Sequence, residues 1–175
     1  MDFYQLCRER QSCRNYDPDR IPHNDAVDRI LNAARLSPSA CNGQPYHVTL
    51  CRGDGARAVA SAVMGMGMNK FCKSVPLFLV ISEEDYVPSA AVGAKIKKND
   101  YRSMDIGILA ATICYAATEE GLGSCILGWL DDGKLQKLLK LNGPARLVIA
   151  LGYAEEGDAL RDKKRKPLSE LVSEK

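Results

Sequence analysis

Two carboxamides, Asn42 and Gln44, stand two positions apart in the uncharged stretch SPSACNGQPY, Ser37 to Tyr46, framed by Pro38 and Pro45. An amide both donates and accepts hydrogen bonds, so a rigid, small-residue frame around two of them suits a ligand that presents both kinds of group. A second segment, RQSCR, brackets Ser12 between Arg10 and Arg14, which a fully extended chain separates by no more than about 14 Å. Two guanidiniums and a hydroxyl can meet on one anion, because guanidinium forks pair with phosphate oxygens bidentately. A third basic stretch closes the chain, where Lys163, Lys164, Arg165 and Lys166 precede Pro167. No aromatic stacking platform accompanies it, which argues against a nucleic-acid surface.

The elements that must carry these residues are legible in the apolar spacing. Asp2 caps a first helix through Phe3, Leu6 and Cys7 that delivers Arg10 to a turn. PHNDAVDRILNAARL reads as a second helix, capped by His23 or Asn24, with Val27, Ile30, Leu31 and Ala34 inward and Pro38 beyond its end. HVTLCR alternates as a strand, ARAVASAVM reads as a helix, and VPLFLVIS is an apolar run of the kind buried on both faces of a sheet. Residues 83–102 are charged, hold Pro88 and Gly93, and read as a mobile excursion with a short helix around AAVGAKIKK. DIGILAATICYAATEEGLG is apolar almost all round and predicts a helix buried partly by a second subunit. SCIL, DDGKLQKLLKL and RLVIALGY complete the pattern as edge strand, capped helix and buried strand, and PLSELV in the tail is apolar enough to dock.

Length and composition set the bounds. A chain of 175 residues, 46% hydrophobic and 26% charged, is one globular domain spanning 1–175. A net charge of +2 is too small to make nucleic acid or an anionic membrane the main partner. The seven cysteines include no C-x-x-C pair and no zinc-type cluster, so they read as reduced thiols and no metal site is expected. No leader-like N-terminus and no membrane-length apolar run stands in the chain, which predicts a soluble protein of the cytoplasm. Helices and strands interleave in an α/β pattern of the α+β type, yet no strand leads into G-x-G-x-x-G or G-x-x-x-x-G-K-[ST], which argues against a Rossmann or P-loop nucleotide site.

Four motifs in order, RQSCR, PSACNGQP, GLG at Gly121 to Gly123, and KKRKP, resemble those of the nitroreductase family of flavin-dependent oxidoreductases, and the resemblance runs from Arg10 to Val172. It implies a nitroreductase-like fold, with a mixed, mainly antiparallel central sheet flanked by helices in an intertwined homodimer. It also implies non-covalent FMN shared between subunits, with NADPH or NADH as reductant. Carried over, Arg10, Ser12, Arg14 and the backbone at Gln11 would meet the cofactor from one chain. Pro38, Ser39, Ala40, Asn42 and Gln44 would come from the other, and Lys163 and Arg165 would return to the phosphate. Leu127 and Gly128 would lie at the flavin ring, with the Gly128 N–H directed at N5, and Arg14 or Arg10 would stabilise negative charge on the reduced ring. No side chain is assigned as a catalytic acid or base. Trp129 departs from the small residue that relatives often carry after that glycine and would wall the flavin face or fill the dimer core.

The function so implied passes reducing equivalents from NAD(P)H through flavin N5 to a small oxidised acceptor such as a nitroaromatic or quinone. The same pocket could serve reductive dehalogenation or a dehydrogenation, and a flavin-binding module without turnover is the reading from outside the enzyme class.

Overall fold

The computed structural model describes residues 1–175. In chain order its elements are α1 (Phe3–Glu9), α2 (Asn24–Ala34), β1 (Tyr46–Arg52), α3 (Asp54–Val63), β2 (Leu77–Glu83), α4 (Pro88–Lys97), α5 (Tyr101–Glu119), β3 (Gly123–Leu127), α6 (Asp132–Leu139), β4 (Ala145–Gly152) and α7 (Leu168–Leu171). Short 3-10 turns lie at Ala40–Asn42, Gly65–Gly67 and Lys70–Ser74. The apolar run of β2 is buried from Leu77 to Ser82, as a strand covered on both faces must be. It pairs antiparallel with β1 on one side and β4 on the other, and β4 pairs antiparallel with β3, giving the order β1-β2-β4-β3. The parallel component of the expected mixed sheet is a single bridge, Ser12 to Ser124, on the outer side of β3.

Alternation along the two central strands divides the core. Phe78, Val80, Val148 and Ala150 face α3 and α6, packing with Val59, Val63 and Leu135. Leu77, Leu79, Ile81, Ile149 and Leu151 face α2 and α5, packing with Val27, Ile30, Leu109 and Ile113. The result is three layers, helices on both faces of one sheet, and each fully buried Leu, Ile or Phe contributes about 1.5–3 kcal/mol.

The long helix α5 starts under an Asp100 cap, whose Oδ1 accepts from the Ser103 N–H at 3.1 Å. It ends where Gly121 turns left-handed at φ 71° and the Leu122 N–H reaches the Ala117 carbonyl at 2.8 Å. Its inward face carries Ile106, Leu109, Ala110, Ile113 and Ala117, whereas Met104, Gly107, Ile108 and Ala111 form an exposed apolar stripe.

Three expectations change. Neither His23 nor Asn24 caps α2 through its side chain, because the Asn24 Oδ1 accepts from Arg52 instead. The 83–102 excursion is a folded unit: α4 has Pro88 in its first turn, and the Tyr86 hydroxyl accepts from the Arg102 N–H at 2.9 Å. The Arg102 guanidinium then lies 4.3 Å over the Tyr86 ring and reaches Glu83 at 3.1 Å. In the tail, PLSELV does not dock on its own chain, for Leu168, Leu171 and Val172 are 72%, 70% and 58% exposed.

Candidate functional site

Arg10, Ser12 and Arg14 occupy an extended segment laid against the outer edge of β3, where the Cys13 N–H donates to the Ser124 carbonyl at 2.9 Å. Alternation along that segment sends Cys13 into the core and the other three to one side. They meet around Cys125: burial pushes its thiol up, and Arg14, a Ser12 hydrogen bond and Arg10 draw it back. Gly123 makes the close approach possible, because a Cβ there would stand 2.8 Å from both Cβ and Sγ of Cys13. The two glycines of GLG thus have separate tasks, one turning the chain out of α5 and the other admitting the basic segment.

The C-terminal tail comes back to the same place. Lys163 Nζ donates to the Arg10 carbonyl at 2.9 Å. Burial, then the like charges of Arg10, Arg165 and Arg161, pulls the Lys163 ammonium below its ordinary value. Arg10, Lys163 and Arg165 held this close make a setting that favours a bound anion, while Arg161 is paired with Asp158 at 3.5 Å.

The Ser37–Tyr46 loop is shaped by its own backbone. Cys41, Asn42 and Gln44 all take left-handed φ angles, 52°, 51° and 46°, which non-glycine residues adopt only when the surroundings impose them. Three bonds impose them here. The Ser39 hydroxyl accepts from the Gln44 N–H at 3.0 Å, and the Gln44 amide donates to the Asn42 carbonyl at 3.2 Å. Underneath, Asp105 Oδ1 accepts from the Ala40 N–H at 3.0 Å. Asp105 is 4% exposed and its Oδ2 has no partner, nor has the buried hydroxyl of Ser37. Pro38, Asn42 and Gln44 themselves stay exposed.

At the far end of β3, Leu127 is buried and Gly128 faces open space, with nothing within 4 Å of a Cβ built on it. Since the Ser124 carbonyl points outward to Cys13, alternation leaves the backbone groups of Ile126 on the same outer edge, and Gly128 follows directly after the strand ends. Trp129 is half exposed and donates from its indole N–H to the Gly65 carbonyl at 3.1 Å, pinning the Gly65–Gly67 turn. It therefore borders the open edge and is not buried in the core of its own chain.

Within one chain the predicted residues form two groups. Arg10, Gln11, Ser12, Arg14, Lys163 and Arg165 gather where Arg10 bears electrostatically on Cys114 of α5, while Ser39 to Gln44 rest on Asp105 at the start of that helix. Nine residues of helix, about 14 Å, lie between Asp105 and Cys114. Sequence reading missed two participants. Asp105 is a carboxylate on a helix face otherwise apolar, which is the signal that could have found it. Arg161 has no such signal, because one more cation in a basic tail stands out only once its contacts are seen.

The residues present fit a phosphorylated flavin. A converging cation set matches a phosphate, a shaped loop bears two amides, and an open strand edge ends at an exposed glycine.

Comparison with known proteins places this arrangement. The model of the Nitroreductase family matches residues 7–70 and 67–153. The oxygen-insensitive NADPH nitroreductase of Helicobacter acinonychis (strain Sheeba) is 24% identical over 199 residues, covering 97% of this chain and 94% of the relative. Iodotyrosine deiodinase 1 of Rattus norvegicus is 21% identical over 198 residues, covering 98% of this chain and 68% of the relative. Among solved structures, a nitroreductase family protein from Streptococcus pneumoniae TIGR4 superposes with a TM-score of 0.82 at 20% identity, over 99% of this chain and all of that one. A protein from Exiguobacterium sibiricum 255-15, solved in complex with FMN, gives 0.82 at 16% identity, over 100% of this chain and 98% of that one. The nitroreductase-like fold expected of the single chain is thus the observed one, and the chain belongs to the nitroreductase family of FMN-dependent NAD(P)H oxidoreductases.

Proposed function

We propose that this chain binds FMN between two copies of itself and uses NAD(P)H to reduce a small oxidised acceptor, a nitroaromatic or a quinone. The observation that carries the reading is the convergence of Arg10, Lys163 and Arg165, three of the expected phosphate ligands, from opposite ends of the sequence. The chemistry FMN supplies when bound is two-electron exchange between reduced nicotinamide and an oxidised acceptor. The chain's own residues do the rest. Arg10, Lys163 and Arg165 hold the phosphate, and Arg14 provides positive charge that favours the reduced, negatively charged ring. Asn42 and Gln44 read donors and acceptors, and the Gly128 N–H stands at the open edge of β3 where a ring nitrogen can accept from it.

A second copy completes the site in this reading, as the family resemblance implies, the loop of each chain serving the basic segment of the other. The exposed stripe Met104, Gly107, Ile108 and Ala111 is the surface it would cover. The relatives named for deiodination direct attention to halogenated phenols as a second acceptor class.

The test is spectroscopic. The purified protein is expected to be yellow and to bleach with NADPH or NADH under anaerobic conditions. Colour should return on adding a nitroaromatic or quinone, with halogenated phenols run in parallel. Protein without flavin absorbance that takes up no added FMN would overturn the reading, and return of colour with halogenated phenols alone would move it to the dehalogenating branch.

A further inference from the structure

The segment that leads to Lys163 and Arg165 is fastened before it reaches them. Gln11, expected to offer its backbone to the cofactor, turns its side chain to the tail. Its Nε2 donates to the Ala159 carbonyl at 3.3 Å and its Oε1 accepts from the Arg161 N–H at 3.1 Å. One carboxamide thus pairs with the tail backbone at two points, as a neighbouring strand would. Arg161 returns the contact, its guanidinium donating to the Ser12 carbonyl at 2.5 Å and to Asp158 Oδ1 at 3.5 Å. Further back, the Glu155 N–H donates to the Asn15 carbonyl at 3.1 Å and the Asp17 N–H to the Tyr153 carbonyl at 3.0 Å. Residues 10–17 and 153–163 therefore run together as one braced pair.

We propose that Gln11 and Arg161 are positioning residues: a clasp that orders the tail on the Arg10–Ser12 segment, so that Lys163 and Arg165 stand ready for the phosphate of FMN. The proposal rests on the phosphate reading above. The physical need is twofold. A terminal segment loses conformational entropy when it is ordered, and without a clasp that loss falls on the binding step. The cations of the cluster also repel one another, and neutral amide-to-backbone bonds are the kind that can hold them together without neutralising them. Arg161 differs from Lys163 and Arg165 in having its guanidinium committed to a backbone carbonyl and to Asp158, which leaves its role one of placement.

The experiment uses the full chain and two measurements. Amide hydrogen exchange of residues 159–165 is followed in the flavin-free protein, and affinities for FMN and for riboflavin are titrated. The variants are Gln11→Ala, Arg161→Met and Arg165→Ala, the last as the direct-contact reference. Gln11→Ala and Arg161→Met are expected to speed exchange of 159–165 on the order of tenfold and to weaken FMN by a similar factor, since apparent affinity falls with the fraction of chains whose tail is ordered. Riboflavin, lacking the phosphate, should bind Arg161→Met as it binds the parent, whereas a general structural defect would weaken both ligands. Adding Arg165→Ala to Gln11→Ala should cost less than Arg165→Ala alone. Unchanged exchange in both clasp variants, or faster exchange with FMN affinity intact, overturns the clasp alone. Riboflavin binding the parent as tightly as FMN overturns the phosphate reading and the clasp with it.

Discussion

Asp105 shows what a single buried carboxylate can do for a loop. Its Oδ1 is the acceptor for the Ala40 N–H and anchors a turn in which three non-glycine residues are left-handed. Removing it strands a partly buried donor, which costs about 1–3 kcal/mol. Asp105→Ala is therefore expected to lower the denaturation midpoint and to weaken FMN by at least about tenfold, which is roughly 1.4 kcal/mol. Asp105→Asn keeps an acceptor oxygen and should retain most of the affinity, so paired titrations separate the hydrogen bond from the charge. The thiols make a different statement at this scale. Burial pushes Cys51 up to about 11 and Cys72 up to about 12, and raises Cys13, Cys114 and Cys125 as well. A thiol raised in the fold stabilises below its unfolded value, and that contribution is lost as pH rises toward the folded one. The chain should thus lose stability progressively above about pH 8.5, where unfolded cysteine begins to ionise. Urea midpoints at rising pH check this, and Cys51→Ala should flatten the decline. Alkylation of the native chain should mark the exposed Cys41 and spare the five buried thiols.

At the scale of elements, the GLG turn couples the end of α5 to the basic segment. Gly121→Ala forces a Cβ into a left-handed turn, at about 1–2 kcal/mol, while touching nothing near the cations. Gly123→Ala drives a methyl into Cys13 and displaces the strand-like segment carrying Arg10, Ser12 and Arg14. Overpacking of that sort costs about 1–3 kcal/mol. Both variants are expected to melt earlier, but only Gly123→Ala should lose FMN affinity out of proportion, which titration beside thermal melts will reveal. The difference between the two glycines was not legible in the sequence, where GLG is simply a motif. What was legible follows from periodicity: the continuous apolar run of β2 and the 3- and 4-residue spacing of α2 state their burial directly. The loop and the clasp were opaque for the opposite reason, since the left-handed angles of Cys41 and Gln44 depend on bonds within the loop and on Asp105 beneath it, and Gln11 pairs with residues 159–161 at the other end of the chain. The excursion at 83–102 misled because its charges signal exposure, while the bonds among Glu83, Tyr86, Asp100 and Arg102 that fold it back depend on geometry alone.

For the whole molecule the question is where one chain's site ends. Each copy leaves two apolar surfaces uncovered, the α5 stripe around Ile108 and the tail residues Leu168, Leu171 and Val172. No helix is long and apolar enough to cross a membrane, and in the proposed reading a second copy is what covers the α5 stripe. In a two-fold interface, contact of residue i with residue j is repeated as j with i, so a loop given to the partner's site is matched by a loop received. That symmetry makes a sharp test possible. Arg10→Ala damages the basic half of the site and Asn42→Ala the amide half, so each variant alone has only impaired sites. If the halves come from different chains, a mixed dimer carries one doubly damaged site and one intact site. Random pairing of co-expressed variants makes half the dimers mixed, so about a quarter of all sites should regain tight FMN binding. If instead each site were built within one chain, every site in the mixture would carry one lesion and none would recover. Titrating the co-expressed mixture with FMN, beside the two variants purified separately and then combined without exchange, distinguishes these outcomes, and recovery only in the co-expressed sample is the expected one.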